Sequence, residues 1–220
     1  MRQPLLAIPF LLITVFLLIR AQIRSERRQV YLFQPLSTLL VILAAALSFG
    51  RPGAPTGYTV GILSGLLLSL GGDIALMFAP EKAFLSGLVL CLLAHVAYAV
   101  TFTMFTGFHR QDLVSGGVLL ALSAAGYLYL QPGLREMKGP VMGYILVIGF
   151  MVNRAVSAFF SPTFSWTQAW LLTIAAVLFW SSDLVLAVNR FRRPIKYHSI
   201  GLTLYYAGQL LIALSPAFFA

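Results

Sequence analysis

The sequence predicts an all-α polytopic membrane protein, a bundle of about eight transmembrane helices in one domain spanning residues 1–220. Three observations predict it. Of 220 residues, 60% are hydrophobic and 10% charged, and the mean hydropathy is +0.90, whereas an ordinary soluble domain carries roughly 25% charged residues. The apolar residues gather into runs of the length that crosses a bilayer as a helix, about 20 residues. Most Lys and Arg residues fall in the short gaps between those runs.

The runs lie at about 4–19, 31–49, 58–79, 83–106, 112–130, 141–160, 165–189 and 197–217. They are continuous rather than alternating. Helices, and not the strands of a closed barrel, therefore satisfy their backbone groups in lipid. The first run has the size of a signal-peptide core, with Arg2 before it and Arg20 at its end. No Ala-x-Ala-like cleavage site precedes the basic cluster at 20–28, so it reads as a helix.

The net charge of +9 does not point to nucleic acid, because the positions of the charges explain it. Of the 15 Lys and Arg residues, 11 follow spans 1, 3, 5 and 7, three lie on the opposite side, and Arg154 lies within a span. That bias places both termini outside and the odd loops in the cytoplasm. No loop exceeds about 13 residues, so chemistry has to sit among the helices. The short loops suggest a bacterial inner membrane. The single cysteine, Cys91, permits no intrachain disulfide.

The ionisable residues within spans are Asp73, His95, Arg154 and Asp183, with His198 at the mouth of span 8. Each costs at least ~2.5–3.5 kcal/mol at the bilayer centre, which makes it a functional candidate by default. Asp73 lies in Gly72-Asp73-Ile74-Ala75-Leu76-Met77 and Asp183 in Ser182-Asp183-Leu184-Val185-Leu186-Ala187, 110 positions apart. Spans 3 and 7 run the same way, and each Asp precedes the cytoplasmic end of its span by about six residues, or ~9 Å. The two carboxyls are expected at one depth, toward the cytoplasmic leaflet. The matching hexapeptides suggest a parallel four-plus-four internal repeat.

Gly57, Gly61, Gly65, Ser69 and Asp73 recur at four-residue steps, as do Ala83, Gly87, Cys91 and His95. Such small stripes let membrane helices approach closely, which should hold Asp73 facing inward. His198, Tyr205 and Gln209 share one helical face, within about 40° of each other. His95 and Tyr98 share another. Tyr31 and Tyr58 read as interfacial anchors. Arg154 reads either as a functional group or as a side chain that snorkels to the interface. His95, His109 and His198 have no ligand spacing, so no metal site is expected. No phosphate-loop, serine-elbow or zinc-protease motif is present.

Two carboxyls in a low-dielectric place can hold one proton between them, giving one acid and one base or electrostatic partner. Such a pair suits hydrolysis of an acetal-like or enol-ether bond through an oxocarbenium-like cation. It also suits an aspartic peptidase.

The blocks Leu70-Gly71-Gly72-Asp73-Ile74-Ala75-Leu76-Met77, Phe84-Leu85-Ser86-Gly87 with Ala94-His95-Val96-Ala97-Tyr98, the stretch from Trp180 through Ser182-Asp183-Leu184 to Asn189-Arg190-Phe191, and Tyr205-Tyr206-Ala207-Gly208-Gln209 resemble the YhhN/TMEM86 family. The resemblance covers spans 3–4 and 7–8. It implies a lysoplasmalogenase. Such an enzyme cleaves the sn-1 vinyl-ether bond of a lysophospholipid, releasing a fatty aldehyde and a glycerophospho-ethanolamine or -choline, and needs no cofactor. On that reading Asp73 and Asp183 are catalytic. His95, Tyr98, Tyr205 and Gln209 line the pocket, and Asn189, Arg190 or Lys196 holds the phosphate.

Three rivals stand beside it. A proton- or cation-coupled transporter would use the same paired acids. A non-catalytic lipid-binding protein would need them only for packing. An intramembrane aspartic peptidase is disfavoured, because Leu70 replaces the first glycine of its Gly-x-Gly-Asp motif and the second Asp lies four spans away.

Overall fold

The computed structural model describes residues 2–49, 53–78, 81–195 and 199–219, with no side-chain description for Arg2, Glu81 and Lys82. Among the described residues, one helical turn at Arg2–Leu5 is followed by eight long helices. They are α1 (Ala7–Ile23), α2 (Arg27–Ala46), α3 (Thr56–Leu76), α4 (Glu81–Thr106), α5 (Gln111–Leu134), α6 (Lys138–Ser157), α7 (Trp166–Phe191) and α8 (Ser199–Leu214). The described residues form no strand.

Among the described residues, seven helical stretches are long and apolar enough to cross a membrane, one of them the 50-residue stretch Gln111–Phe160. A straight helix of that length would measure about 75 Å against a hydrocarbon core of about 30 Å. It does not run straight. Arg135 adopts φ 46°, outside the helical region, and a short 3-10 turn at Arg135–Met137 separates α5 from α6. The two then pack antiparallel: Asn153, near the end of α6, donates to the Asp112 carbonyl (3.0 Å) and the Ser115 hydroxyl (2.8 Å), near the start of α5. The stretch is thus two passes, and the eight predicted spans correspond one to one with α1–α8. Beside the break, a Cβ on Gly133 would overlap the Phe191 carbonyl, so the ends of α5 and α7 meet only because that position is glycine.

The first span is a packed member of the bundle. Leu11 and Leu18 are buried, and Ser37 of α2 donates to Thr14 at 3.0 Å. Pro35 and Pro132 lie within α2 and α5 without ending them. A capping box, in which Ser165 and Gln168 satisfy each other's backbone N–H groups, starts α7. Outward faces carry Leu, Phe and Val, such as Leu12, Phe16, Leu67 and Leu113, as expected where the solvent is lipid.

The small stripe of α3 faces α4. A Cβ on Gly61 would collide with Thr101 and one on Gly65 with the Tyr98 ring, so the two backbones approach as glycine alone allows.

The repeat is visible in the contacts. Gly72 packs on Cys91, and 110 positions later Ser182 donates to the Gly201 carbonyl at 2.8 Å. Gly65 receives Tyr98; in the second half Gly208 lies against the Ala175 carbonyl, 110 positions on from both, with knob and hole exchanged. Between the halves, α4 packs on α6 as α8 packs on α2.

Two expectations for single residues are corrected. Tyr58 is not an interfacial anchor. It is fully buried, bonded through its hydroxyl to Ser215 (2.8 Å) and ringed by Phe105, Phe164 and Phe219. Tyr31, by contrast, is exposed. Arg154 does not snorkel. It is 1% exposed and pairs with Asp112 at 2.6 Å, with further bonds to Asn153 and the Gly107 carbonyl and the Phe108 ring 4.5 Å away. A guanidinium satisfied inside the bundle has no reason to reach the interface.

Candidate active site

Asp73 sits three residues before the end of α3 and Asp183 eight residues before the end of α7. The two carboxyls reach the same cavity, of about 200 Å³, bounded by Gln22, Gln34, Phe84, Cys91, Asn189 and Tyr205 among others. Its described lining holds both carboxyls and no Lys or Arg. The two acids meet in one cavity, but neither lies the expected six residues from the end of its helix: Asp73 is nearer the end and Asp183 farther from it.

Each carboxyl is held by its own half and by the other. Asp73 Oδ2 accepts from Thr38 Oγ1 of α2 (2.5 Å) and from Tyr205 of α8 (3.0 Å). Asp183 Oδ2 accepts from Tyr144 of α6 (2.5 Å) and faces His95 Nε2 of α4 at 3.4 Å. His95 and Tyr205 are themselves 110 positions apart, as are Gln34, which shares the Asp73 cavity, and Tyr144. The site therefore lies on the seam between repeats, and each half sends one side chain across it.

The two carboxyls differ in surroundings. Asp73 is 4% exposed and receives two hydroxyl donors. The Asp183 side chain is 14% exposed. It also borders a second cavity of about 240 Å³, lined by Leu122, Gly126, Leu130, Ile145, Trp180 and other apolar groups, with Arg190 among them. Asp183 thus stands at the junction of a polar and an apolar cavity.

His95 is fully buried, and its Nδ1 lies 2.6 Å from the Cys91 carbonyl. A carbonyl only accepts, so Nδ1 carries the hydrogen and Nε2 is left aimed at Asp183.

The other expected site residues divide. Tyr205 and Asn189 line the shared cavity. Tyr98 and Gln209 do not. They are fully buried behind Tyr205, where Tyr98 donates to Gln209 and Gln209 donates to the Tyr205 hydroxyl, both at 3.0 Å. His95 likewise stands behind Asp183 and lines neither cavity. The side-chain amide oxygen of Asn189 accepts from the Ile195 backbone N–H (2.9 Å) and so ties down the chain after α7. Arg190 borders the apolar cavity, its guanidinium 4.6 Å from the Phe84 ring. Lys196 and His198 lie outside the described residues. Among the described residues no three His, Cys, Asp or Glu side chains come together as metal ligands do.

Thr38 and Tyr144 escape a reading by hydropathy. A threonine hydroxyl on a membrane helix can bond its own backbone, as Thr38 does at the Gln34 carbonyl, and a tyrosine is mostly apolar ring, so neither carries much transfer cost. The 110-residue offset from Gln34 to Tyr144 is the signal that finds one of them.

The model of the YhhN family matches residues 29–216. The human protein named Lysoplasmalogenase TMEM86A is 33% identical over 181 residues, covering 80% of this chain and 72% of the human one. Its Bos taurus namesake is 34% identical over 158 residues, 70% of this chain. This chain covers 64% of the bovine protein's length. The membrane protein YhhN of Escherichia coli O157:H7 is 28% identical over 213 residues, 92% of this chain and 94% of that protein. No solved structure matches the chain.

Proposed function

The chain belongs to the YhhN family, and from that premise we propose that it is a membrane-embedded hydrolase of the vinyl-ether bond in lysoplasmalogens. The observation that carries the reading is that Asp73 and Asp183 border one cavity within the bundle. The names of the human and bovine relatives support the same substrate class.

The reaction is acid catalysis. A proton adds to the outer alkene carbon, the adjacent carbon becomes part of an oxocarbenium ion, and water adds there. The hemiacetal then loses its glycerol oxygen, giving a fatty aldehyde and a glycerol hydroxyl. One water is consumed, and the proton lost from it replaces the one donated.

In this reading Asp183 is the proton donor. His95 Nε2 and Asp183 Oδ2 are two acceptors facing each other at 3.4 Å, an arrangement that is favourable only with a proton between them. Asp73, with two hydroxyls donating to one oxygen, is the anionic partner. It steadies the cation and orients the water. Tyr98 and Gln209 hold Tyr205 in place, and Asn189, on the wall of the shared cavity, meets the phosphate.

The charge bias of the loops orients the bundle with both termini outside and the site toward the cytoplasmic leaflet of a bacterial inner membrane.

The test is aldehyde release from a lysoplasmalogen by purified protein, with Asp73→Asn and Asp183→Asn beside it. Release by the parent and by neither variant is expected. Full activity in either variant ends the two-carboxyl mechanism. An inactive, folded parent that carries protons or cations across liposomes makes the protein a transporter with the same acid pair.

A further inference from the structure

The apolar cavity beside Asp183 continues beyond the site. It ends at Ser123 of α5, and Ser123 also borders a third cavity of about 210 Å³, lined by Gly116, Leu119, Leu120, Leu146, Phe150 and Asn153. The two cavities meet at the Ser123 wall and lie in succession along α5, one reaching Asp183 and the other Asn153 near the end of α6. Small residues open them. Gly116 and Gly149 line the far cavity and Gly126 the near one, and a Cβ on Gly126 would meet nothing within 4 Å. The far cavity is closed at its end by Asn153, whose amide is bonded to Asp112 and Ser115. From Tyr144, level with Asp183, to Asn153 is nine residues of helix, or ~14 Å.

Building on the hydrolase reading, we propose that this groove under α5 holds the single hydrocarbon chain of the substrate. The occupant is dictated by the walls. Besides Asp183, the near cavity has Ser123, Tyr144 and Arg190 as polar lining, with the Arg190 guanidinium turned onto the Phe84 ring, and its other walls are Leu, Ile, Val, Ala, Phe, Trp and Gly; the far cavity is Leu, Phe and Gly apart from Ser123 and Asn153. The continuity with the catalytic cavity is direct, since Phe84, Leu88, Tyr144, Asp183 and Leu186 border both. The chemistry then fits the geometry. The carbon to be protonated is on the chain side of the ether oxygen. A donor placed where the polar and apolar cavities meet reaches that carbon with the glycerol lying in one cavity and the chain in the other. Ser123 is the gate to the far half of the groove, so it sets how much chain is bound.

The test uses the whole protein in detergent and a single-chain probe that cannot be hydrolysed, a hexadecyl lysophospholipid with a saturated ether and a diazirine at the chain end. Photolysis is expected to label Leu119, Leu120, Leu146 or Phe150. Labelling on α1–α4 instead, or none at all, overturns the proposal. In parallel, Ser123→Phe should lower the ratio of kcat/KM for a long-chain over a short-chain lysoplasmalogen by about tenfold, because remote binding energy is lost with the far groove. An unchanged ratio also overturns it. Labelling in the groove by a protein that releases no aldehyde leaves the chain site standing and removes the hydrolase reading.

Discussion

Tyr205, on the last helix, donates a 3.0 Å hydrogen bond to Asp73 on α3, 132 positions earlier in the chain. The bond joins the second repeat to the first. Its counterpart, His95 facing Asp183 at 3.4 Å, joins the first to the second. Neither four-helix half holds the site alone, because each carboxyl depends on a side chain from the other half.

Tyr205→Phe removes that donor and leaves the ring, which packs on Phe179 and Tyr206. It also strands the Gln209 amide that donates to the hydroxyl. A hydrogen bond to a charged group contributes about 1.5–3 kcal/mol, and a stranded buried donor costs about 1–3 kcal/mol. The rate of aldehyde release should fall roughly tenfold to a hundredfold, with a lower Tm. Thr38→Val should act in the same direction through the other donor. Wild-type rates in both variants would show that Asp73 needs no partner.

Tyr144→Phe separates the two carboxyls by role. It takes the single hydroxyl donor from Asp183 Oδ2 and leaves Asp73 with both of its own. If Asp183 gives up a proton in the rate-limiting step, the loss appears in kcat with little change in KM. A solvent isotope effect measured on parent and variant checks the assignment. A change confined to KM would make Tyr144 a substrate-binding group.

How far the site was legible follows from what each residue costs in lipid. Asp73 and Asp183 stand out because an acid in an apolar run is expensive, and their shared hexapeptide pattern marked them as a pair. His95 stands out for the same reason. Thr38 and Tyr144 are cheap in a helix and give no such signal. Tyr98 and Gln209 share a face with true lining residues, but helical phase does not distinguish a first layer from the layer behind it. Asp112 sits at the edge of its run, where it reads as a loop charge. Its pairing with Arg154 therefore emerges only once α5 and α6 fold back on each other. The fold-back itself was legible, since Arg135 and Lys138 interrupt two apolar runs.

Gly65 is expected to tolerate no side chain. A Cβ there runs into the Tyr98 ring, which is fully buried and bonded to Gln209. Gly65→Ala should cost about 1–3 kcal/mol as overpacking and lower Tm. At Gly117, where a Cβ meets nothing within 4 Å, Ala should be neutral or stabilising by up to about 1 kcal/mol. Equal Tm for the two variants would mean that the α3–α4 interface can yield.

Arg154 and Asp112 form an ion pair far along α6 from Tyr144, with 1% and 7% of their side chains exposed. Removing one partner leaves the other charged and buried, at a cost of about 3–5 kcal/mol. Arg154→Met leaves Asp112 with the His109 backbone N–H and also removes the donor to Asn153 and the Gly107 carbonyl, whereas Asp112→Asn leaves a guanidinium that keeps its bonds to both. Arg154→Met should therefore be the more damaging single change. The double variant should be less destabilised than the sum of the singles, because neither charge then remains to be stranded. The readout is unfolding of all four proteins in one detergent, followed by tryptophan fluorescence. Trp166 and Trp170 lie beside Phe159, close to the end of α6 where the pair is held. Additive losses would show that the two side chains act separately, with Arg154 serving the Gly107 carbonyl alone.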